Sequence, residues 1–233
     1  MPVMAWKRYL TAWSRYHRSS GFGVHSPYAY NFVRHVWRQP LPYYAYQDIR
    51  QLHDTIKAGT TSRQRREMDL INEPEAQLLF RVTNFFNPRH ILQVGAATGI
   101  ESVTMLAVNH LSRLYLYDPR LEQNAIAVKV LHTQLDRVAC YDDAGVAVDD
   151  LLASGEHPVL ALFNEPSDEA VLRRLLDAHG IIVLRRLNRD AAMLHLFEAC
   201  CRYMTMGQTY SNGKIAILNP DPKLQREDFV LWL

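Results

Sequence analysis

Cysteine is scarce. The three that occur, Cys140, Cys200 and Cys201, form no C-x-x-C pair, and two are adjacent. That spacing argues against a disulfide framework and against a structural zinc site. No stretch approaches the roughly 18 continuous apolar residues of a membrane helix. Trp6, Lys7, Arg8 and Tyr9 interrupt the apolar core that a secretory leader needs, so a reducing cytoplasm is the expected location. Internal repeats and low-complexity tracts are missing. So are Gly-x-Gly-x-x-Gly and any Gly-Lys-Ser/Thr, which disfavours pyrophosphate cradling. With 48% hydrophobic and 21% charged residues in 233, the chain is neither a disordered segment nor a fibrous repeat, and its length suits one full domain with an appendage.

Charge is unevenly spread. Residues 1–66 hold eleven Lys/Arg against Asp48 and Asp54, a net of +9; the remainder holds 15 basic and 22 acidic residues, a net of −7. The split suggests an anionic partner for the first segment, or docking of that segment on its own acidic neighbour. We therefore divide the chain into a basic helical N-terminal cap, 1–66, and a second unit, 67–233. Within the cap, residues 3–18 place Trp6, Tyr9, Leu10, Trp13 and Tyr16 on one helical face, opposite Lys7, Arg8, Arg15 and Arg18. That aromatic face is expected to dock, with the Gly21–Pro27 turn bringing His25 and Tyr28 over a ligand cleft as a lid. Ser26-Pro27 reads as a cap and first position of a helix to about Trp37. Residues 46–57 read as another helix, and Lys57–Arg66 as a polar linker.

From residue 72 the pattern alternates. Asn72, Pro74 and Glu75 open a helix that Pro88 stops. Short apolar runs follow, at Ile91–Val94, Leu114–Tyr117, Val138–Tyr141, Val159–Phe163 and Ile181–Leu184. Helical segments separate them, near 100–111, 122–134, 145–153 and 167–178. Strands and helices alternating at this spacing predict a parallel sheet covered on both faces. After a helix over Asp190–Tyr203, Asn212-Gly213 between two strand-like runs predicts a hairpin.

Gln93-Val94-Gly95-Ala96-Ala97-Thr98-Gly99 is a strand end, a glycine turn and a helix start. Ligands of open α/β sheets sit outside the carboxyl ends of the strands, where glycine permits close approach to the backbone. The second strand ends in Asp118 and the third in Asp142-Asp143-Ala144. These acids either hold ribose hydroxyls and an exocyclic amine or cap the helices that follow.

Over residues 72–218 the chain resembles the class I S-adenosylmethionine-dependent methyltransferases. Gln93 to Ser102 resembles their first motif, Asp118 their ribose acid and Asp143-Ala144 their adenine-side pair. His25-Ser26-Pro27-Tyr28 resembles a box in small-molecule O-methyltransferase-like bacterial proteins. The resemblance implies an α/β, Rossmann-like fold: a mainly parallel seven-stranded sheet with an antiparallel C-terminal hairpin, plus the helical cap. It also implies S-adenosylmethionine as cofactor, contacted by Gly95, Ala96, Gly99, Asp118, Asp143 and Asn164. Two departures matter. Gln93 stands where the family usually has an acid. Asn164, Arg185 and Arg186 stand where its metal-dependent branch has carboxylates, and guanidinium groups repel a hard cation. No metal is therefore expected. A hydroxyl acceptor would then need a base, for which His25, His17 and His35 are candidates. Arg185 and Arg186 are candidate substrate residues, their forks matching carboxylate or phosphate.

Three functions follow. The first is a metal-independent methyltransferase acting on a small molecule, an anionic one if the two arginines bind it. The second is a catalytically degenerate methyltransferase fold kept for binding or scaffolding. The third is a nucleic-acid methyltransferase using the basic arm; the absence of a recognisable nucleic-acid module and of an Asn-Pro-Pro-Tyr-like tetrapeptide at the fourth strand disfavours it. Oligomeric state is not legible.

Overall fold

The computed structural model describes residues 26–232. His25, His17 and the amphipathic segment 3–18 lie outside the described residues. Helix α1, Pro27–Phe32, starts as its sequence predicts: Ser26 Oγ accepts from Ala29 N at 3.3 Å, and Pro27 occupies the first turn. It runs on as a wider π-helical turn, Val33–Trp37, so the chain stays helical to the expected end. Helix α2 spans Ala45–Ala58.

The expected linker at Lys57–Arg66 is instead mostly helical. Thr61 caps α3, Ser62–Glu67, in a capping box with Gln64. Arg65 Nη1 donates to Lys57 O at 2.8 Å and Thr60 O at 2.5 Å, which closes the end of α2. A Thr-x-x-Gln signal satisfies two orphan amides, and here it outweighs the solvated look of an arginine run.

Helix α4, Glu73–Phe86, begins at Asn72, whose Oδ1 accepts from Glu75 N, and ends at Asn87 with φ +46°, just before Pro88. Then come β1 (His90–Val94), α5 (Ile100–Leu106), β2 (Arg113–Tyr117), α6 (Ala125–Leu131), β3 (Val138–Tyr141), α7 (Ala144–Ala153), β4 (Val159–Phe163), α8 (Glu169–Asp177), β5 (Ile181–Leu184), α9 (Ala191–Tyr203), β6 (Gln208–Ser211), β7 (Ala216–Asn219) and β8 (Glu227–Val230). They form one sheet in the order β3-β2-β1-β4-β5-β7-β6-β8. The first five strands are mutually parallel, and β7 is antiparallel to both β5 and β6. The sheet has eight strands rather than seven, because β8 adds to β6 in parallel.

Alternate residues of each strand point to opposite faces, which splits the core in two. Ile91, Leu114, Leu116, Leu160, Leu162 and Val183 pack with residues of α1, α2, α4, α5 and α6. Leu92, Val94, Ala161, Phe163, Ile182 and Leu184 pack with α7, α8 and α9. The first cluster contains α1 itself: Phe32 lies tilted against Tyr210 of β6 at 4.3 Å between centroids and meets Phe85 edge-on at 5.4 Å. Burying an aromatic of this size stabilises by roughly 1.5–3 kcal/mol. Among the described residues, no helix is long and apolar enough to cross a membrane.

Candidate active site

The turn after β1 is built from backbone that side chains avoid. Gly95, Ala97 and Gly99 have φ of +80°, +48° and +81°. A Cβ on Gly95 would stand 2.8 Å from Glu165 Cγ; one on Gly99 would stand 3.0 Å from Val130 Cγ1 of α6. Glycine at the two ends therefore lets Glu165 lie across the turn and lets α6 pack close beneath it.

Side chains from three strand ends hold this turn. Gly95 O accepts from Asn164 Nδ2 at 2.8 Å and from Gln93 Nε2 at 3.0 Å. Gln93 Oε1 in turn accepts from Ser102 Oγ at 2.7 Å. Gln93, standing where an acid was expected, thus bridges β1 to α5 with a donor and an acceptor, which a carboxylate cannot do. Asp118 Oδ2 accepts from Ala96 N at 2.9 Å and its Oδ1 from Arg120 N at 2.8 Å, clamping the β2 end to the turn. Glu165, after β4, pairs with Arg120, after β2.

Of this turn and its braces, Ala97, Asp118, Arg120, Asn164 and Glu165 border a cavity of about 440 Å³ at the carboxyl ends of β1, β2 and β4, while Gly95, Ala96 and Gly99 lie behind its wall. Its walls include Ala97, Asp118, Arg120, Asn164, Glu165 and Arg186, with Gln64, Glu67, Met68 and Asp69 closing it from α3 and the loop after it. The volume lies within the roughly 300–1,000 Å³ of small-molecule sites.

Asp143 lies apart. It caps α7, with Oδ1 accepting from Val146 N at 2.9 Å, and is not part of the cavity wall. Tyr28 is not over the cleft as the lid reading expects. Its hydroxyl accepts from Asn219 Nδ2 at 2.9 Å while Ser26 Oγ accepts from Gln208 Nε2 at 3.1 Å, so these two residues fasten α1 to β6 and β7. Burial and the nearby Asp221 push the Tyr28 phenol up to about 12. What covers the cavity is α3. His35 is exposed on the π-helical turn, away from the cavity wall.

The two arginines after β5 part company. Arg185 is 3% exposed; its Nη1 donates to Glu101 Oε1 at 2.5 Å and Asn164 Oδ1 at 2.7 Å, and its Nη2 lies 3.2 Å from Asp69 Oδ2 and 3.8 Å from Glu75 Oε2. Burial pushes the Glu101 carboxyl up by more than Arg185 beside it draws it down, so it stays above the ordinary carboxylate range. Because Arg185 occupies Asn164 Oδ1, the Asn164 amide must present Nδ2 to Gly95 O, so Arg185 orients the turn from behind. Arg186 instead reaches the cavity wall, with φ +66°.

Asp69, Glu75 and Glu101 were not foreseen as partners of Arg185. Only Glu101 carried a local sign, an acid in the apolar first turn of a helix opened by Gly99.

No family model matches the sequence, and no curated protein matches it. Solved structures do. The O-methyltransferase TomG from Streptomyces achromogenes, in complex with SAM, aligns with a TM-score of 0.52 at 14% identity over 78% of this chain and 92% of its own. A methyltransferase from Geobacter sulfurreducens aligns with a TM-score of 0.53 at 17% identity over 77% and 90%. The O-methyltransferase from Bacillus cereus, in complex with SAH, aligns with a TM-score of 0.52 at 11% identity over 78% and 93%. These three structural neighbours are methyltransferases, and this chain shares their fold.

Proposed function

We propose that the protein is an S-adenosylmethionine-dependent methyltransferase that acts on a small molecule without a divalent metal. The observation that carries this reading is the cavity at the β1, β2 and β4 ends, bordered by a turn whose first residue lacks a Cβ and by Asp118. Gly95, Ala96 and Gly99 would let the cofactor approach the backbone. Each Asp118 oxygen accepts one backbone N–H and keeps a further acceptor position for a ribose hydroxyl. Asn164 would stand behind the turn, whereas Asp143 would contribute only through the β3 end. When bound, S-adenosylmethionine supplies a methyl group carried on a sulfonium cation. No base for a hydroxyl acceptor is proposed: His25 lies outside the described residues, and its neighbour Ser26 is held by Gln208 at the start of β6, not at the cavity wall.

Metal independence is supported by the donor set at the β4 and β5 ends. An amide at Asn164 and guanidinium groups at Arg185 and Arg186 offer a divalent cation no carboxylate of their own. Asp69 and Glu101 nearby are engaged by Arg185. Magnesium is expected to leave any methyl transfer unchanged, and EDTA not to inhibit it; an EDTA-sensitive reaction restored by magnesium would reject this part of the reading.

Calorimetric titration with S-adenosylmethionine and S-adenosylhomocysteine tests the whole. Binding is expected, and Asp118→Ala should weaken it by about 1.5–3 kcal/mol, the range for hydrogen bonds to a charged group. A second reading, a fold kept for binding other ligands without turnover, draws on one observation: the Arg120–Glu165 pair already lies across Gly95. Absence of nucleoside binding at millimolar ligand would favour it.

A further inference from the structure

The charged side chains of the cavity wall are, with one exception, well engaged. Glu67 accepts from Arg63 Nε at 2.7 Å. Asp69 accepts from Arg189 Nη1 at 3.3 Å, and Arg185 lies beside it. Asp118 takes two backbone amides, while Arg120 and Glu165 take each other.

Arg186 is the exception. Of its five N–H donors, one is used among the described residues, from Nη1 to Asn164 O at a long 3.4 Å. Its Nε is buried and makes no hydrogen bond; the nearest carboxylate oxygen, Asp69 Oδ2, is 4.0 Å away. The side chain is 31% exposed and borders the cavity.

The backbone of Arg186 adds a second, independent observation. It sits at φ +66°, where glycine is comfortable and a residue with a Cβ is strained. The conformation belongs to the turn by which the chain leaves β5 for α9, where Arg189 N and Asp190 N both donate to Arg186 O at 2.9 Å. A position shaped for glycine that carries an arginine, with most of its donors unused and its side chain on the wall of a ligand-sized cavity, is poorly explained by stability. Guanidinium forks match carboxylate and phosphate in two parallel hydrogen bonds.

We propose that Arg186 is an anion-binding residue of the cavity, taking a carboxylate or phosphate group of the bound ligand, and that the methyl acceptor belongs to the class of small molecules bearing such a group. The assignment of the anion to an acceptor rests on the methyltransferase reading; the anion site itself does not. A carboxylate can come from two sources here, the acceptor or the amino-acid end of the nucleoside ligand.

Calorimetry on wild type, Arg186→Gln and Arg186→Gly separates the sources. The probes are inorganic phosphate and benzoate, each titrated onto the protein alone and onto protein with S-adenosylhomocysteine, together with S-adenosylhomocysteine and 5′-methylthioadenosine, which lacks the carboxylate. The expected result is that phosphate or benzoate binds wild type and loses at least tenfold in affinity in both variants, while both nucleosides are unaffected. A tenfold loss for S-adenosylhomocysteine, with none for 5′-methylthioadenosine, keeps the anion site and assigns it to the nucleoside's own carboxylate. If no probe distinguishes wild type from the variants, the proposal is overturned. Should wild type bind no nucleoside, the methyltransferase reading fails, and the phosphate and benzoate titrations on the protein alone still decide the role of Arg186. Arg186→Gly also guards against misfolding, because it suits φ +66°: its thermal midpoint should be no lower than wild type while anion binding is lost.

Discussion

Arg185→Leu is expected to destabilise the fold by about 3–5 kcal/mol, the cost of removing one partner from a buried ion pair. A native domain has roughly 5–15 kcal/mol in total, so the variant should be marginal at 37 °C. The reason is Glu101, fully buried in α5, whose Oε1 has Arg185 as its close cation and whose Oε2 has no hydrogen bond. Without Arg185 that carboxyl must take up a proton or stay charged in an apolar surround. Burial already raises its pKa above the ordinary 4.5, and losing the cation raises it further. A carboxyl with a raised folded-state pKa contributes stability that is present below its unfolded pKa and lost as pH rises through the folded one. Both proteins lose stability as pH rises from about 4.5, and the deficit of Arg185→Leu should widen only above the wild type's own raised Glu101 pKa, where the carboxyl ionises beside Arg185 in the wild type and stays protonated in the variant. Arg185→Leu combined with Glu101→Leu should recover much of the loss, since an apolar pair in place of a buried ion pair is often neutral. Chemical denaturation of the three proteins across pH checks this. A single variant as stable as wild type at pH 7 would show that the cluster is not the tie it resembles.

The central strands β1, β4 and β5 were legible in advance because a sheet buried on both faces writes its strands as short, continuous apolar runs; β2 and β3, less buried, still carry such runs. All five parallel strands agree with those runs to within one residue, from His90–Val94 to Ile181–Leu184. What escaped lacks that signal. In β8, Glu227–Val230, only Phe229 is buried, stacked on Tyr210, and the pairing with β6 is made by backbone. Helix α5 stops at Leu106 rather than near 111 because Arg137 donates to the carbonyls of Leu106 and Asn109, and Asn109 Oδ1 accepts from Leu111 N. Arg137 is distant in sequence and gives no local warning.

The site divides in the same way. The glycine turn and Asp118 could be read from strand-turn-helix spacing, a local pattern. The difference between Arg185 and Arg186 could not. Two adjacent arginines look alike in sequence, and only the fold brings Asp69, Glu75 and Glu101 around the first while leaving the second with most of its donors unused. The unequal charge of the two segments has a partial counterpart in contacts. Arg50 of α2 pairs with Glu73 of α4.

Gly95→Val is expected to lower affinity for S-adenosylhomocysteine at least a hundredfold, about 2.8 kcal/mol, while the protein still folds. At φ +80° a β-branched residue is strained by roughly 1–2 kcal/mol, within the margin of a native domain. The new Cβ would stand 2.8 Å from Glu165 Cγ and 3.3 Å from its Cδ. Glu165 is a flexible side chain and would move aside, breaking its pair with Arg120 and leaving two methyl groups at the start of the turn. The backbone there is the surface that the cofactor is proposed to approach, so strain and lost access act together. Gly213→Val separates them. Gly213 has φ +82° in the turn between β6 and β7, with no atom within 4 Å of a Cβ there, so it carries the same backbone strain away from the cavity. Its thermal midpoint should fall about as far as that of Gly95→Val, with nucleoside binding intact. Equal affinity in Gly95→Val and wild type, measured on variants shown to be folded, would remove the glycine turn from the proposed site.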